Sequence, residues 1–343
     1  MKRWLTLLIG PMISVVIIYV LIGDDIDAVH VELMRARYIY LLPTALLLIF
    51  SLMTRAMRWR VLLDERISWW HAFHILNVGY FLSGVLPLRV GDLARAWMVT
   101  RLDTPIPAFK AISTIIIERL LDVLALVAMI GLMLVLLDVP SQLTTLGVIV
   151  GVAALSGGLL LAWAAMRPEW LLKAVAWLEG RFMRLKSFDL ETRLVHFLDG
   201  IKPMGNPAIA FGALFWSGMS WLLSLAAGYV LLFFLFDEPT FAATVSLIVL
   251  ATSSVALPAV PGNLGPFEGA VVGGLLIGGM INSATPPENA PAVATGVVLH
   301  ALTLGIYTTL GIIGLMVEHA SVKQITSATR DFSSEPAMLE SAS

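Results

Sequence analysis

The sequence contains no cysteine, and only 13% of its 343 residues are Asp, Glu, Lys or Arg. The absence of cysteine excludes disulfides, thiolate nucleophiles and cysteine-ligated metal or iron–sulfur sites. A soluble globular domain carries about 25% charged residues, so the shortage of charge excludes an ordinary soluble protein. Because 58% of the residues are hydrophobic, the composition predicts an all-α polytopic membrane protein.

Common enzyme motifs are also missing. The chain has no lipase-type G-x-S-x-G, no H-E-x-x-H and no P-loop. His71 and His74 stand three residues apart without a third ligand nearby, which argues against a metal site. The net charge of −2, with basic residues spread over many loops, gives no indication of nucleic-acid binding, and we expect no nucleic acid as a partner. We therefore expect no catalytic activity, no metal and no cofactor.

Long runs with little charge predict the membrane segments, of which two are interrupted by Pro, Gly and charged residues. The runs cover residues 4–22, 38–53, 68–110 (interrupted), 111–137, 145–166, 207–236, 241–281 (interrupted) and 292–317. Up to residue 320 we interpret them as a single membrane domain, followed by a disordered cytoplasmic tail at 321–343.

Loop charges predict the orientation of these segments. Residues 54–67 and 167–202 are rich in Lys and Arg, and the positive-inside rule places such loops in the cytoplasm. This holds only if 68–110 and 241–281 each enter and leave the membrane on one side. We therefore predict about six full spans, two re-entrant helix pairs and cytoplasmic termini in the inner membrane. The amphipathic segment 167–202 would lie on the cytoplasmic surface.

An internal repeat supports this topology. A shift of 171 residues places 83–93 on 254–264 with five of eleven residues identical. The segments 38–137 and 207–317 would then be inverted repeats, an architecture typical of secondary transporters, whose transport sites lie at paired interrupted helices.

The first interrupted region, residues 83–95, is called the first tip. Pro87 and Gly91 would break a helix, and irregular backbone survives at membrane depth only inside protein or facing water. Arg89, Asp92 and Arg95 would lie near this break, where the arginine fork suits a phosphate group. The alternative is a cytoplasmic turn in which Arg89 pairs with Asp92 in water.

The second interrupted region, residues 257–270, is called the second tip. Glu268 is the one charged residue of a long apolar stretch. It could pair with Arg89, Arg95 or Arg119, couple to protons, or stabilise the first turn of a helix that starts near Pro266. Asn263 lies opposite Asp92 in the repeat. The residues expected to break this helix are Pro258, Pro261, Gly262 and Gly265.

A third cluster comprises Glu118, Arg119 and Asp122. The two carboxylates share a helix face, and Arg119 can pair with Asp122 within the helix. The cluster is therefore either an internally paired structural feature or a network that braces the first tip or faces a ligand. His300 lies in the last span, where it could hydrogen-bond a neighbouring helix, and we expect it to serve packing rather than a proton relay or ligand binding.

Three motifs in this order resemble the lysylphosphatidylglycerol synthase transmembrane-region family, also called flippase-like. They are "LPLRVGDLAR" at 86–95, "ERLLD" at 118–122 and "LPAVPGNLGPFEGA" at 257–270. The first motif commonly has Glu where this chain has Asp92. The resemblance covers residues 5–320 and implies movement of anionic or glycosylated lipids between leaflets. A soluble aminoacyl-transferase domain, present in some members, is not found here.

The resemblance and the residues together predict a lipid transporter, with a phospholipid or a polyprenyl-phosphate lipid as substrate. Arg89 and Arg95 would contact the phosphate, and Asp92, Asn263 and Glu268 would contact sugars or an amine, or neutralise the arginines. The alternatives are an integral-membrane enzyme that modifies lipid headgroups, and a non-transporting subunit that partners a lipid-biosynthetic enzyme.

Overall fold

The computed structural model describes most of the chain. The described residues are 14–23, 25–86, 90–137, 144–145, 149, 151–153, 156–157, 168–181, 190–254 and 261–334. Every regular element among these residues is a helix, so the predicted all-α class is confirmed. Pro87, Arg89 and Pro258 lie outside the described residues, as does most of the predicted span 145–166.

The helices follow the chain as one series, preceded by a helical stretch at residues 14–22. They are α1 (Ile26–Arg35), α2 (Leu41–Leu62), α3 (Trp69–Val85), α4 (Val90–Met98), α5 (Ala108–Leu136), α6 (Pro168–Arg181), α7 (Leu190–Ile201), α8 (Pro207–Leu232), α9 (Phe241–Ser254), α10 (Pro266–Ile277), α11 (Ala290–Val317) and α12 (Val322–Ser334).

Four helical segments of the described chain are long and apolar enough to cross a membrane, which identifies an integral membrane protein. They are Tyr38–Leu62, Ala108–Leu136, Pro207–Leu232 and Ala290–Val317, and they coincide with four predicted spans. The helices of the two interrupted regions are shorter than the ~20 residues of a full crossing. α3, α4, α9 and α10 have 17, 9, 14 and 12 residues.

The prediction of a loop at 54–67 is wrong for residues 54–62, because α2 continues to Leu62. Ala56, Trp59 and Leu62 recur every three residues and are at most 1% exposed. The high number of charged residues in this stretch favoured a loop and outweighed the apolar period. The helix ends before Asp64 and Glu65, which both have positive φ angles.

Part of the predicted disordered tail is also helical. α12 covers Val322–Ser334, whereas 335–343 lie outside the described residues. Ser321 and Gln324 each accept a hydrogen bond from the other's backbone N–H, which is a capping box that stabilises a helix start. Ile325 is 0% exposed and packs in the same hydrophobic cluster as Ala94 and Met98 of α4. The Ser/Ala-rich composition predicted disorder, because composition alone does not show that Ile325 packs against α4.

Replacement of Ile325 by aspartate is expected to release α12 from α4. A buried unpaired charge costs at least as much as the ~3 kcal/mol lost when a buried isoleucine is truncated. Because this free energy opposes docking of the helix, amide hydrogen exchange in α12 should accelerate about a hundredfold. Hydrogen exchange of residues 322–334 measures this. Val322, which is 38% exposed, provides the control: Val322→Asp should leave exchange nearly unchanged. Equal protection in both variants would show that α12 is not held by Ile325.

Two hydrophobic clusters divide the helices into two sets. One contains Trp59, Ile75 and Ile115 from α2, α3 and α5, and the other contains Leu247 and Leu275 from α9 and α10. The sets meet where α2 packs on α8 and α3 on α11, and α9 packs on α5. The charged residues described below lie on α2, α4 and α5 of the first set.

Candidate functional site

The first tip is held by close backbone packing of α4 against α3. α3 ends at Val85, inside the region of the predicted break, but the prediction that Gly91 breaks a helix is wrong, because Gly91 lies within α4. A Cβ atom on Gly91 would lie 1.8 Å from the carbonyl oxygen of Gly79, so only glycine fits at this contact. Asp92 and Arg95, which follow Gly91 on α4, reach residues of α5.

Two ion pairs connect α4 to α5. The Arg95 Nη2 atom lies 2.6 Å from Glu118 Oε2, and the side chains are 4% and 3% exposed. Arg119 Nη2 donates to Asp92 Oδ1 at 2.8 Å. The Arg95 guanidinium also lies 4.1 Å from the ring centroid of Trp59, a cation–π contact. The predicted residues of the first tip and of the third cluster are therefore brought together across two helices.

Arg58 of α2 joins this group and was missed by sequence reasoning. Its Nη1 atom lies 2.7 Å from Asp122 Oδ1 and donates to Ser217 Oγ at 2.8 Å, and its Nε lies 3.6 Å from Glu118. The predicted pairing of Asp122 with Arg119 inside α5 is wrong, because Arg119 turns to Asp92 and Asp122 turns to Arg58. The overlooked signal was the apolar period that keeps α2 helical through this arginine.

Arg55 lies one helical turn before Arg58, and its guanidinium has no carboxylate within 4.0 Å among the described residues. It donates to the Tyr80 hydroxyl at 3.2 Å and lies 5.6 Å from the ring centroid of Trp221. Tyr80 stacks on Tyr307 of α11 with ring centroids 5.0 Å apart.

A small cavity of about 30 Å³, called the recess, adjoins Arg55. Its lining residues are Leu48, Ser51, Leu52, Arg55, Ser224, Thr303, Ile306 and Tyr307.

These charged residues form one group, called the charged cluster, on helices that are otherwise apolar. Its described members are Arg55, Arg58, Asp92, Arg95, Glu118, Arg119 and Asp122. Four arginines face three carboxylates, which leaves one excess positive charge. Ionisable groups inside a membrane protein are costly and mark functional sites, and an excess of one sign favours an oppositely charged ligand.

The second tip turns through backbone conformations that favour glycine. Gly262 and Gly265 have φ angles of 68° and 91°, and the Gly265 N–H donates to Glu268 Oε2 at 2.6 Å. Glu268 therefore stabilises the first turn of α10, as predicted. A Cβ atom on Gly262 would lie 3.6 Å from the carbonyl oxygen of Gly84. The second tip thus approaches the end of α3, where the first tip begins.

Glu268 pairs with His300, which was expected to pack or to hydrogen-bond a neighbouring helix. Their Oε1 and Nδ1 atoms are 2.6 Å apart, and each side chain is 8% exposed. The predicted pairing of Glu268 with Arg95 or Arg119 is wrong, because those arginines are engaged by Glu118 and Asp92. His300 is held against the Phe267 ring, with centroids 4.5 Å apart. Glu268 is therefore not part of the charged cluster.

Asn263 anchors the second tip to the end of α9. Its Nδ2 atom donates to Ser254 Oγ at 3.0 Å, while its buried Oδ1 has no hydrogen-bond partner among the described residues. A buried, unsatisfied amide oxygen is costly and can accept a bond from a ligand. The structure thus places Asp92 and Arg95 in one polar group, and Asn263 and Glu268 in contacts of the second tip.

Comparison with known proteins identifies the family to which this chain belongs. No curated protein matches this chain. The family model described as the lysylphosphatidylglycerol synthase TM region matches residues 4–311. The match covers most of the chain and includes both tips and the whole charged cluster. The chain therefore belongs to the family of the lysylphosphatidylglycerol synthase TM region.

Proposed function

We propose that this protein moves a lipid with a negatively charged headgroup, an anionic phospholipid or a glycosylated polyprenyl-phosphate lipid, between membrane leaflets. The observation that carries the proposal is the charged cluster, in which arginines outnumber carboxylates inside an apolar helix bundle. Membership of a family related to lipid-modifying and flippase-like membrane proteins supports a lipid as the substrate. The basic residues of 167–202 support an inner-membrane orientation with cytoplasmic termini.

The chemistry of the cluster fits the headgroup of a lipid. Buried arginine is stable in a membrane only with an anionic partner, and a phosphate accepts two parallel hydrogen bonds from one guanidinium. The lipid tails need no protein cavity because they can remain in the bilayer. Asp92 and Glu118 pair with Arg119 and Arg95, which leaves one positive charge of the cluster for the headgroup.

The order and packing of the helices support an inverted repeat. The shift of 171 residues that aligns the two tips also places α3 on 240–256, which corresponds to α9 (Phe241–Ser254). The contact of α3 with α11 has its counterpart in the contact of α9 with α5. In this proposal one set of helices rocks against the other, and the two short helix pairs open to opposite sides.

Transbilayer movement of labelled lipid tests the proposal. The purified protein is reconstituted in liposomes that contain a labelled anionic phospholipid or polyprenyl-phosphate lipid. Wild-type protein should accelerate transbilayer movement of the lipid. Asp92→Asn should reduce the rate roughly tenfold or more, which corresponds to a loss of about 1.4 kcal/mol in the interaction with the headgroup. Glu268→Gln should reduce it similarly, because it weakens the Gly265 and His300 contacts of the second tip.

The matched control is Asp237→Asn. Asp237 pairs with Arg37, but its side chain is 95% exposed, so this variant should transport at the wild-type rate. A folded wild-type protein that moves no lipid would overturn the proposal. A change in the chemical species of the lipid would indicate a headgroup-modifying enzyme. If the lipid is neither moved nor chemically converted, the result would favour a subunit that partners such an enzyme.

A further inference from the structure

We propose that the recess beside Arg55, lined by α2, α8 and α11, binds the phosphate group of the transported lipid. This inference rests on the proposed function and assigns the phosphate to a residue outside both tips. Arg89 and Arg95 are the arginines of the first tip. Arg55 lies on helix α2, in the stretch that the sequence had predicted to be a loop. The ligand class is a phosphate monoester or diester with apolar chains.

The excess positive charge of the cluster falls on Arg55. Arg95 is held by Glu118 at 2.6 Å, Arg119 by Asp92 at 2.8 Å and Arg58 by Asp122 at 2.7 Å. Each carboxylate thus has an arginine in direct contact. Among the described residues Arg55 has no carboxylate within 4.0 Å: it contacts the Tyr80 hydroxyl and the face of Trp221, and Asp122 acts on it only from a longer distance. An arginine so placed in a membrane protein calls for an anion from outside the described chain.

The walls of the recess supply the neutral donors that a phosphate requires. Ser51, Ser224, Thr303 and Tyr307 each bring a hydroxyl group to it. The Ser51 and Ser224 hydroxyl oxygens lie 3.1 Å apart, and each donates to the Ser220 carbonyl oxygen. Rotation toward an anion would exchange those bonds for bonds to the anion. The Arg55 guanidinium and these hydroxyls are thus the donors that the recess can offer.

The recess is smaller than the phosphate group that it would bind. A volume of about 30 Å³ holds a few water molecules rather than a phosphate group. The recess lies between α2 and α8 on one side and α11 on the other, so separation of α11 would enlarge it. Because α11 also carries His300, the partner of Glu268, movement of this helix would link the recess to the second tip.

Cysteine protection tests the recess directly, since the chain has no native cysteine. Thr303→Cys places one thiol in the recess wall. Dioctanoyl phosphatidic acid at about ten times its Kd should slow modification by a maleimide about tenfold. Dioctanoylglycerol, which lacks the phosphate, should give no protection. Inorganic phosphate should protect weakly, and equal protection by it would overturn the assignment to a lipid and indicate a free-anion site.

The decisive variants change Arg55 in the Thr303→Cys background. Arg55→Gln should raise the Kd for dioctanoyl phosphatidic acid about tenfold or more, and Arg55→Lys, which keeps the charge, should raise it less. Arg37→Gln is the control, because Arg37 pairs with Asp237 away from the recess. Size-exclusion profiles confirm that the variants are folded. Protection unchanged in both Arg55 variants would overturn the proposal.

The two proposals fail differently. If protection depends on Arg55 but wild-type protein moves no lipid in liposomes, the binding site stands and transport is wrong. If lipid movement occurs and Arg55→Gln changes neither its rate nor the protection, transport stands and the recess is not the phosphate site.

Discussion

Alanine in place of Gly91 is expected to separate α4 from α3 and to destabilise the protein strongly. The new Cβ would lie 1.8 Å from the carbonyl oxygen of Gly79 and 2.4 Å from the Ser83 hydroxyl. The backbone oxygen cannot rotate away as a flexible side chain can. We expect a cost at or above the upper end of the about 1–3 kcal/mol typical of overpacking. Unfolding of the purified protein in mixed micelles with a denaturing detergent measures the loss.

Gly131 is the matched control for this substitution. It lies in α5, and a Cβ atom there would have no neighbour within 4 Å. Gly131→Ala should therefore leave stability unchanged or raise it by up to about 1 kcal/mol through helix propensity. Equal stability of the Gly91→Ala and Gly131→Ala proteins would show that α3 and α4 do not pack as described. The arrangement of Asp92 and Arg95 would then also be wrong.

Removal of the Glu118 charge is the second change with a large expected effect. Glu118→Gln keeps the size of the side chain but leaves Arg95, which is 4% exposed, without its carboxylate at 2.6 Å. Arg58 loses a second carboxylate at 3.6 Å. Breaking a buried ion pair from one side costs about 3–5 kcal/mol, because the remaining charge stays buried. The same unfolding measurement tests this, and lipid movement should fall with it.

Glu65→Gln provides the comparison at the surface. Glu65 pairs with Arg60, but the side chains are 64% and 28% exposed, and water screens the pair. Its loss should cost no more than about 1 kcal/mol. If Glu118→Gln were as mild as Glu65→Gln, the charged cluster would have to be hydrated, and its excess charge would need no ligand.

The sequence by itself determined the membrane class, four of the spans and both helix breaks. A run of apolar residues long enough to cross a bilayer has few alternatives, because unpaired backbone groups are too costly in lipid. At the second tip Gly262 and Gly265 interrupt the helix through positive φ angles, a local backbone property that needs no knowledge of neighbours. α10 therefore begins where the sequence predicts, at Pro266. At the first tip α3 ends at Val85, but Gly91 lies inside α4 and packs against Gly79, so the prediction that Gly91 itself breaks a helix is wrong.

Only the tertiary structure decided which charges meet. Arg58 contacts Asp122 from 64 residues away, and Glu268 contacts His300 from 32 residues away. Such pairs depend on how each helix is rotated and which helix it packs against. Nearly uniform apolar helices carry little periodic signal for that rotation. The docking of Ile325 on α4 was undetermined for a different reason: α12 is mostly polar, and which of its few apolar side chains is buried depends on the surrounding helices, which local sequence does not contain.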